Sequence, residues 1–226
     1  MPPESKSAIL LINTALEAAS VGIAVDGELI DQLINPTQKE HAAFLHPAIA
    51  TICKNNQIEL DQFKAVSVIN GPGSYTGLRV GLSAAKGICY AKQIPLICIN
   101  TLEWMAFGNK DQSPELIIPM IDARRMEVFT AVYNNQMENL MEPTNLILEE
   151  SSYSNYLDEH QVLFIGDGAT KWKSICNHPN ASFVVAVHSE EHHAAIAASH
   201  FKANHFANLF TAAPFYTKAF YSTQKP

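Results

Sequence analysis

Residues 66–91 read as an apolar strand, a Gly-Pro-Gly-Ser turn and a helix rich in small side chains. No other stretch constrains the chain as tightly, because the turn and the helix start specify each other. Pro72 fixes its own φ, and Gly71 and Gly73 relieve the backbone where it must turn sharply. Ser74 or Thr76 can accept a hydrogen bond from an orphan N–H of the first helical turn. Free N–H groups at the positive end of the helix dipole would make Gly73, Ser74 and Thr76 an anion site. No Gly-Lys-Ser/Thr closes the turn, so it is not a Walker loop. Inside the helix Gly77, Gly81, Ala84, Ala85 and Ile88 recur at helical spacing and leave one face of small residues. Each mid-helix glycine costs about 1 kcal/mol against alanine, so close packing must offset it. That packing is either against the chain's own sheet or against a helix of another chain.

Ahead of this unit, residues 8–13, 20–25 and 28–34 read as strands, with Asp26-Gly27 a tight hairpin signal between the last two. Residues 38–54 carry the spacing of an amphipathic helix, with Ala42, Leu45, Ile49 and Ile52 as its apolar stripe. Behind it come a buried strand at 95–100 and a short helix at 101–108 with Thr101 as its cap. Three strands in series followed by alternating helix and strand predict an α/β chain, a mixed sheet with helices on its faces. The polar loop 109–115 is the expected boundary between a first lobe over 1–108 and a second, smaller one over 115–226. Strands are expected there at 116–121, 127–133, 162–165 and 182–187. Ser151 or Ser152 would cap a helix reaching about residue 160, and a long alanine-rich helix over about 190–210 is placed to pack back on the first lobe. No short repeat is visible; two lobes of like topology would be a duplication too diverged to read at this level.

A chain of 226 residues can bury a full core. Its 15 basic and 22 acidic residues leave a net charge of −7, which argues against this chain gripping a phosphate backbone over a wide surface by itself. Any nucleic-acid role would run through a partner. Cys53, Cys89, Cys98 and Cys176 lie in apolar segments without Cys-x-x-Cys pairing, so reduced thiols in a cytoplasmic protein are the expectation. The first apolar run, residues 8–12, is too short for a signal peptide or a membrane span.

Several side-chain groupings invite a chemical reading. His41 and His46 sit five residues apart on one helix, about 140° around it, and cannot share an ion. His188 and His192 have i, i+4 spacing with Glu190, Glu191 and His193 nearby; that is a weak metal signal, since acidic residues open a helix for dipole reasons alone. Asp122, Arg124 and Arg125 between two strands are either a turn with surface ion pairs or a functional group at a cleft. Gly166-Asp167-Gly168 after a strand could touch a nucleotide and is equally a strand-to-helix turn. No Gly-x-Ser-x-Gly elbow and no cysteine in an activating context is found, so nucleophilic catalysis has no candidate.

Gly71-Pro-Gly-Ser-Tyr-Thr-Gly-Leu-Arg-Val-Gly81 resembles the signature of the TsaB (YeaZ) family of the threonylcarbamoyladenosine tRNA-modification machinery. Asn13-Thr-Ala-Leu-Glu-Ala-Ala-Ser-Val21, Lys39-Glu-His41 through Pro47, Asp122-Ala-Arg124, Gly166-Asp-Gly-Ala169 and Pro214-Phe-Tyr216 support it, although Thr217-Lys218 stand where the family's tail has an arginine. The resemblance implies a two-lobed actin-like ATPase (ASKHA, ribonuclease H-like) fold with a reduced second lobe. It implies a non-catalytic scaffold subunit that binds and activates TsaD, with TsaE, for transfer of a threonylcarbamoyl group to the anticodon-adjacent adenosine of tRNA. On that reading Leu45, Ile49, Ile52, Gly77, Gly81, Ala84, Ala85 and Ile88 are the TsaD interface or inter-helix core, and would join a homodimer when the chain is alone. Gly73, Ser74, Thr76, Arg79, Asp122 and Arg124 are expected polar contacts with the partner or a phosphate. The chain itself would need no cofactor and no metal; ATP or ADP at the complex interface stays compatible, tRNA would bind only through the complex, and no membrane is involved. Asn13 departs from the family's Ile-Asp-Thr and is a poor magnesium ligand, so unaided ATP hydrolysis is not expected. The alternatives are an autonomous actin-like ATPase or kinase and, last, an M22-type metalloprotease.

Overall fold

The computed structural model describes residues 7–37, 40–112, 115–186 and 188–216. Strand β1 (Ala8–Asn13) is buried along its whole length, as its unbroken apolar run requires. It pairs antiparallel with β2 (Ala19–Val25), which turns through Asp26 (φ 55°) and Gly27 (φ 93°) into the exposed β3 (Glu28–Asn35). Two left-handed residues in sequence are what a two-residue hairpin turn needs. Helix α1 (His41–Asn55) then leads to β4 (Phe63–Gly71), parallel to β1, and α2 (Tyr75–Lys92) to β5 (Leu96–Asn100), parallel to β4. The sheet order is β3-β2-β1-β4-β5.

The same plan follows a second time. After α3 (Thr101–Phe107), strands β6 (Leu116–Asp122), β7 (Glu127–Asn134) and β8 (Asn139–Ile147) run antiparallel. Strands β9 (Val162–Ile165) and β10 (Ala181–Val184) add in parallel on the other side of β6. The order β8-β7-β6-β9-β10 repeats the first sheet strand for strand. The reduction lies in the helices: α4 (Ser154–Leu157) and α5 (Ala169–Lys173) have 4 and 5 residues where α1 and α2 have 15 and 18. The last helix, α6 (Glu190–Lys202), packs against β1, β2, β3 and β5 of the first sheet, while α3 reaches β6 and β7 of the second.

Alternation along β1 sends Leu10 and Ile12 outward to α1 and α2, and Ile9 and Leu11 inward. On the inner side one core is continuous from Ile69 and Ile97 through Leu102 and Met105 of α3 to Ile117, Ala131 and Ile165 of the second sheet, with Ala194 and Ala197 of α6. The outer face of the second sheet has its own core around Phe164, Tyr153 and Trp172.

Three expectations are corrected by the structure. Asn100, not Thr101, caps α3, its side chain accepting from the Leu102 N–H; Thr101 is buried. The helix expected from Ser151 or Ser152 shrinks to α4, because the Ser152 hydroxyl accepts from the Glu149 N–H and closes the turn ahead of it, and Tyr153 takes φ 61°. Strand β8 had no expectation and α5 only the turn ahead of it: β8 is a polar edge strand interrupted by Pro143, tolerable only at an edge, and α5 is too short to show a period. Helix α6 stops at Lys202 rather than near 210, since Asn204 (φ 55°) closes it with Asn204 N–H to Phe201 O at 3.1 Å and His205 N–H to His200 O at 2.9 Å, a Schellman pair.

Candidate functional site

Between the two sheets lies a cleft of about 1310 Å³. The β1–β2 turn and the start of α2 form one wall; the β6–β7 turn, the Gly166–Gly168 turn and the approach to α6 form the other.

The first wall is built by close backbone approach. A Cβ on Gly73 would run into the Ala15 carbonyl, and the Ser74 N–H donates to that same oxygen at 2.7 Å. The Thr14 hydroxyl donates to the Gly77 carbonyl at 2.7 Å, and the Ser74 side chain accepts from the Gly77 N–H at 3.3 Å. The N–H groups of Ser74 and Gly77, half of what an anion at this helix start would need, are thus spent on the β1–β2 turn and the cap. Gly73, Ser74 and Thr76 do line the cleft.

Arg79 does not face the cleft. Its guanidinium lies 4.0 Å over the Tyr75 ring and donates from Nε to the Tyr216 hydroxyl at 3.0 Å. The segment carrying Tyr216 runs antiparallel along α2: Ala207 bonds Leu96, Lys86 Nζ reaches the carbonyls of Phe210 and Ala212, and the Phe215 N–H donates to Asn70 O. Gly71, at φ 123°, sits where a Cβ would press on the Phe215 carbonyl. The glycine turn is therefore held from both sides.

On the opposite wall Asp122 and Arg124 line the cleft together. The Asp122 carboxylate takes Lys171 Nζ and the Arg124 N–H, and although its slight burial pushes its pKa up, these partners hold it below the usual carboxylate range. Asp167 ties its own turn shut, Oδ1 accepting from the Asp122 N–H at 2.9 Å and the Gly168 N–H at 2.8 Å. Gly166 (φ 99°) stands so close to the Met120 carbonyl that no side chain fits. The turn joins β9 to α5, and Gly166 and Asp167 border the cleft.

The floor holds a buried polar chain that the sequence did not disclose. Glu190, 5% exposed at the first position of α6, accepts from the Ser20 hydroxyl at 2.6 Å and from Asn13 Nδ2 at 3.4 Å. Its other oxygen accepts from His193 Nδ1 at 3.0 Å, and His193 Nε2 faces Ser67 Oγ at 2.9 Å. Burial pushes the Glu190 carboxyl up, but His193, Ser20 and Asn13 together outweigh it and leave the pKa lowered. Ser67, His193 and Glu190 have the spacing of a nucleophile, base and acid, yet Ser67 and His193 are fully buried and Ser67 is not part of the cleft lining. The arrangement ties elements together; it has no reach to a substrate. The only hint in the sequence was Glu190 three residues before His193 in an alanine-rich helix, read there as dipole compensation.

The histidines are engaged one by one. His41 is buried with Nε2 on the Leu16 carbonyl at 3.1 Å, while His46 is exposed. His188 packs edge-on against Trp104, whose Nε1–H donates to Ser189 O, and His192 lies against Phe107. Among the described residues no three His, Cys, Asp or Glu side chains converge to hold a metal.

The expected interface residues turn inward. Leu45, Ile49, Ile52, Ala84 and Ala85 belong to the core between α1, α2 and the sheet, and Gly77 and Gly81 admit Thr14 where a Cβ would collide. Ile88 is half-buried beside them. Other side chains of the same two helices face outward. Rotating about 120° around α2 brings Thr76, Ser83, Gly87 and Ala91 outward with half-buried Val80, and α1 presents Ala43, Pro47 and Ala50. These side chains are also small, and a Cβ on Gly87 would meet nothing within 4 Å.

Two ribonuclease H-like sheets repeated in tandem around a cleft, with the closing helix of each reaching the other sheet, define a two-lobed α/β protein of the actin-like (ASKHA) class. A family model described as TsaD, tRNA N6-adenosine threonylcarbamoyltransferase, matches residues 34–219. The tRNA threonylcarbamoyladenosine biosynthesis protein TsaB of Bacillus subtilis (strain 168) is 28% identical over 170 residues, 74% of each chain. TsaB of Haemophilus influenzae is 35% identical over 124 residues, 54% of this chain and 51% of its own. The solved structure of YeaZ from Pseudomonas aeruginosa has the same fold, with a TM-score of 0.77 at 23% identity over 93% of this chain and 99% of that one. The chain belongs to the family that the TsaD model describes, and within it to the TsaB (YeaZ) type.

Proposed function

We propose that this chain serves threonylcarbamoyladenosine formation on tRNA as a non-catalytic subunit that binds and activates TsaD, the catalytic member of the same family. The observation that carries this reading is the outward stripe of small residues on α1 and α2, from Ala43 and Ala50 to Ser83, Gly87 and Ala91, beside a cleft whose floor offers neutral Asn13. Small side chains let two helix pairs approach closely, and neutral Asn13 is a poor magnesium ligand. The TsaB names of the relatives favour the same process. TsaE would join the pair, tRNA would be met through the complex, and any ATP or ADP would lie at the complex interface. Without TsaD the same helices would pair two copies of the chain.

Mixing the chain with TsaD of the same organism and resolving the mixture by size-exclusion chromatography tests this. A heterodimer is expected for the wild type, and Gly87→Leu, which changes only the outward stripe, should lose it while staying folded. No complex at micromolar concentration would sink the reading. Unchanged binding by the folded variant would move the interface off α2.

A second reading draws on the size of the cleft, about 1310 Å³, which is room enough for a nucleotide in an autonomous ATPase or kinase. Steady-state ATP turnover by the purified chain would establish that activity, and its absence would remove it.

A further inference from the structure

The chain crosses from the second sheet to the first just ahead of α6, and the first residue of that helix carries a buried carboxylate. Outside its own helix, and among the described residues, Glu190 is bonded by elements of the first lobe: Asn13 at the end of β1 and Ser20 on β2, with Ser67 of β4 behind His193. Immediately before it, Ser189 O accepts from Trp104 Nε1–H of α3, and His188 lies on the Trp104 ring. Helix α3 and the segment entering α6 therefore meet at one point of the interlobe seam, and that point holds one negative charge.

The charge is matched to its receptor. Asn13 presents Nδ2 to Glu190 Oε1 while its Oδ1 accepts from the Ala15 N–H, so both ends of the amide are used in one orientation. An aspartate at 13 would keep the Ala15 contact and set a second carboxylate against the first. Two buried carboxylates at this distance cannot both ionise. We infer that Glu190 is an interlobe latch whose single negative charge is paired to the neutral Asn13, so that the two positions form one charge-sharing unit that fixes α6 and the seam ahead of it on the first sheet. The groups facing Glu190 are Asn13, Ser20 and His193, with His188 and Glu191 close enough to feel its charge. None of them is a second carboxylate inside the seam. Neutrality at position 13 is thus also what the placement of the Glu190 carboxylate requires.

Three variants of the full chain, Asn13→Asp, Glu190→Gln and the double variant, separate the latch from ordinary packing. Asn13→Asp should lower Tm at pH 8 and recover at least half of the deficit at pH 5.5, because the shared proton that relieves the pair binds as pH falls. A group whose charged form is disfavoured in the fold costs stability as pH rises, so the deficit must grow in that direction. Glu190→Gln should speed amide exchange at least tenfold over residues 188–193, with residues 162–165 of β9 unchanged. The double variant should lose the pH 5.5 to 8 dependence of Asn13→Asp. An Asn13→Asp deficit equal at both pH values, or no deficit, would overturn the pairing. Unaltered exchange at 188–193 in Glu190→Gln would overturn the latch.

Discussion

A methyl group at position 77 would sit on the Thr14 carbonyl, and one at position 87 would meet nothing. Both residues are glycines of the same helix, and both cost it about 1 kcal/mol in propensity against alanine. Their consequences differ because the contact differs. Gly77→Ala gains that propensity but forces the β1–β2 turn and α2 apart at a backbone contact, so we expect a net loss of roughly 2 kcal/mol or more by urea unfolding. Gly87→Ala meets open space and should gain up to about 1 kcal/mol, or about 2–4 °C in Tm for a chain of this size. The sequence makes it legible that Gly77 and Gly81 need a close neighbour. It does not say on which side the neighbour lies, since 3.6-residue periodicity defines a stripe and not what covers it. Thr14, the actual neighbour, comes from a turn 63 residues away. Glu190 was obscured for a like reason: an acid in a first helical turn satisfies the dipole in any context, and only the fold reveals that Ser20, Asn13 and His193 surround it.

Elements with a strong period were legible, and those defined by their partners were not. Strands β1, β4 and β5 and helix α2 announce themselves by apolar runs, glycine punctuation and small-residue spacing. Strand β8 lies at a sheet edge with most of its side chains at least partly in water, so little alternation survives in its sequence. The end of α6 was misplaced because alanines continue past it while the stop depends on one residue, Asn204, in the left-handed region. Asparagine tolerates that conformation far better than alanine does. Asn204→Ala should therefore cost about 1 kcal/mol and Asn204→Gly should be neutral or slightly stabilising, with thermal unfolding of the two variants side by side as the measurement. Equal Tm values would mean that the helix end carries no such preference. The same logic applies to the segment along α2: Lys86→Met removes the contacts to the Phe210 and Ala212 carbonyls, and faster amide exchange at residues 207–212 is the expected result.

At the scale of the molecule, the duplicated strand order could not be read from the chain, because the second copy retains the sheet but only short remnants of its outer helices. The halves are joined where α3 and α6 cross, and most of that seam is apolar, which makes it insensitive to pH. The His200–Glu103 pair between the same two helices is partly exposed; Glu190, beside His193, is the buried exception. Its folded pKa lies below the ordinary value, so the stability it contributes is fully present above about pH 4.3, the unfolded range for glutamate, and disappears as pH falls through the lowered folded value. Glu190→Gln removes this contribution at every pH. The Tm difference between wild type and variant should accordingly be larger at pH 5 than at pH 3 and shrink steadily below about pH 4.3, as the wild type loses what the variant never had. The comparison also separates Glu190 from the exposed carboxylates, which both proteins share and which therefore cancel in the difference. A difference that persists unchanged to pH 3 would mean that the seam holds Glu190 by shape and neutral hydrogen bonds, with no contribution from its charge.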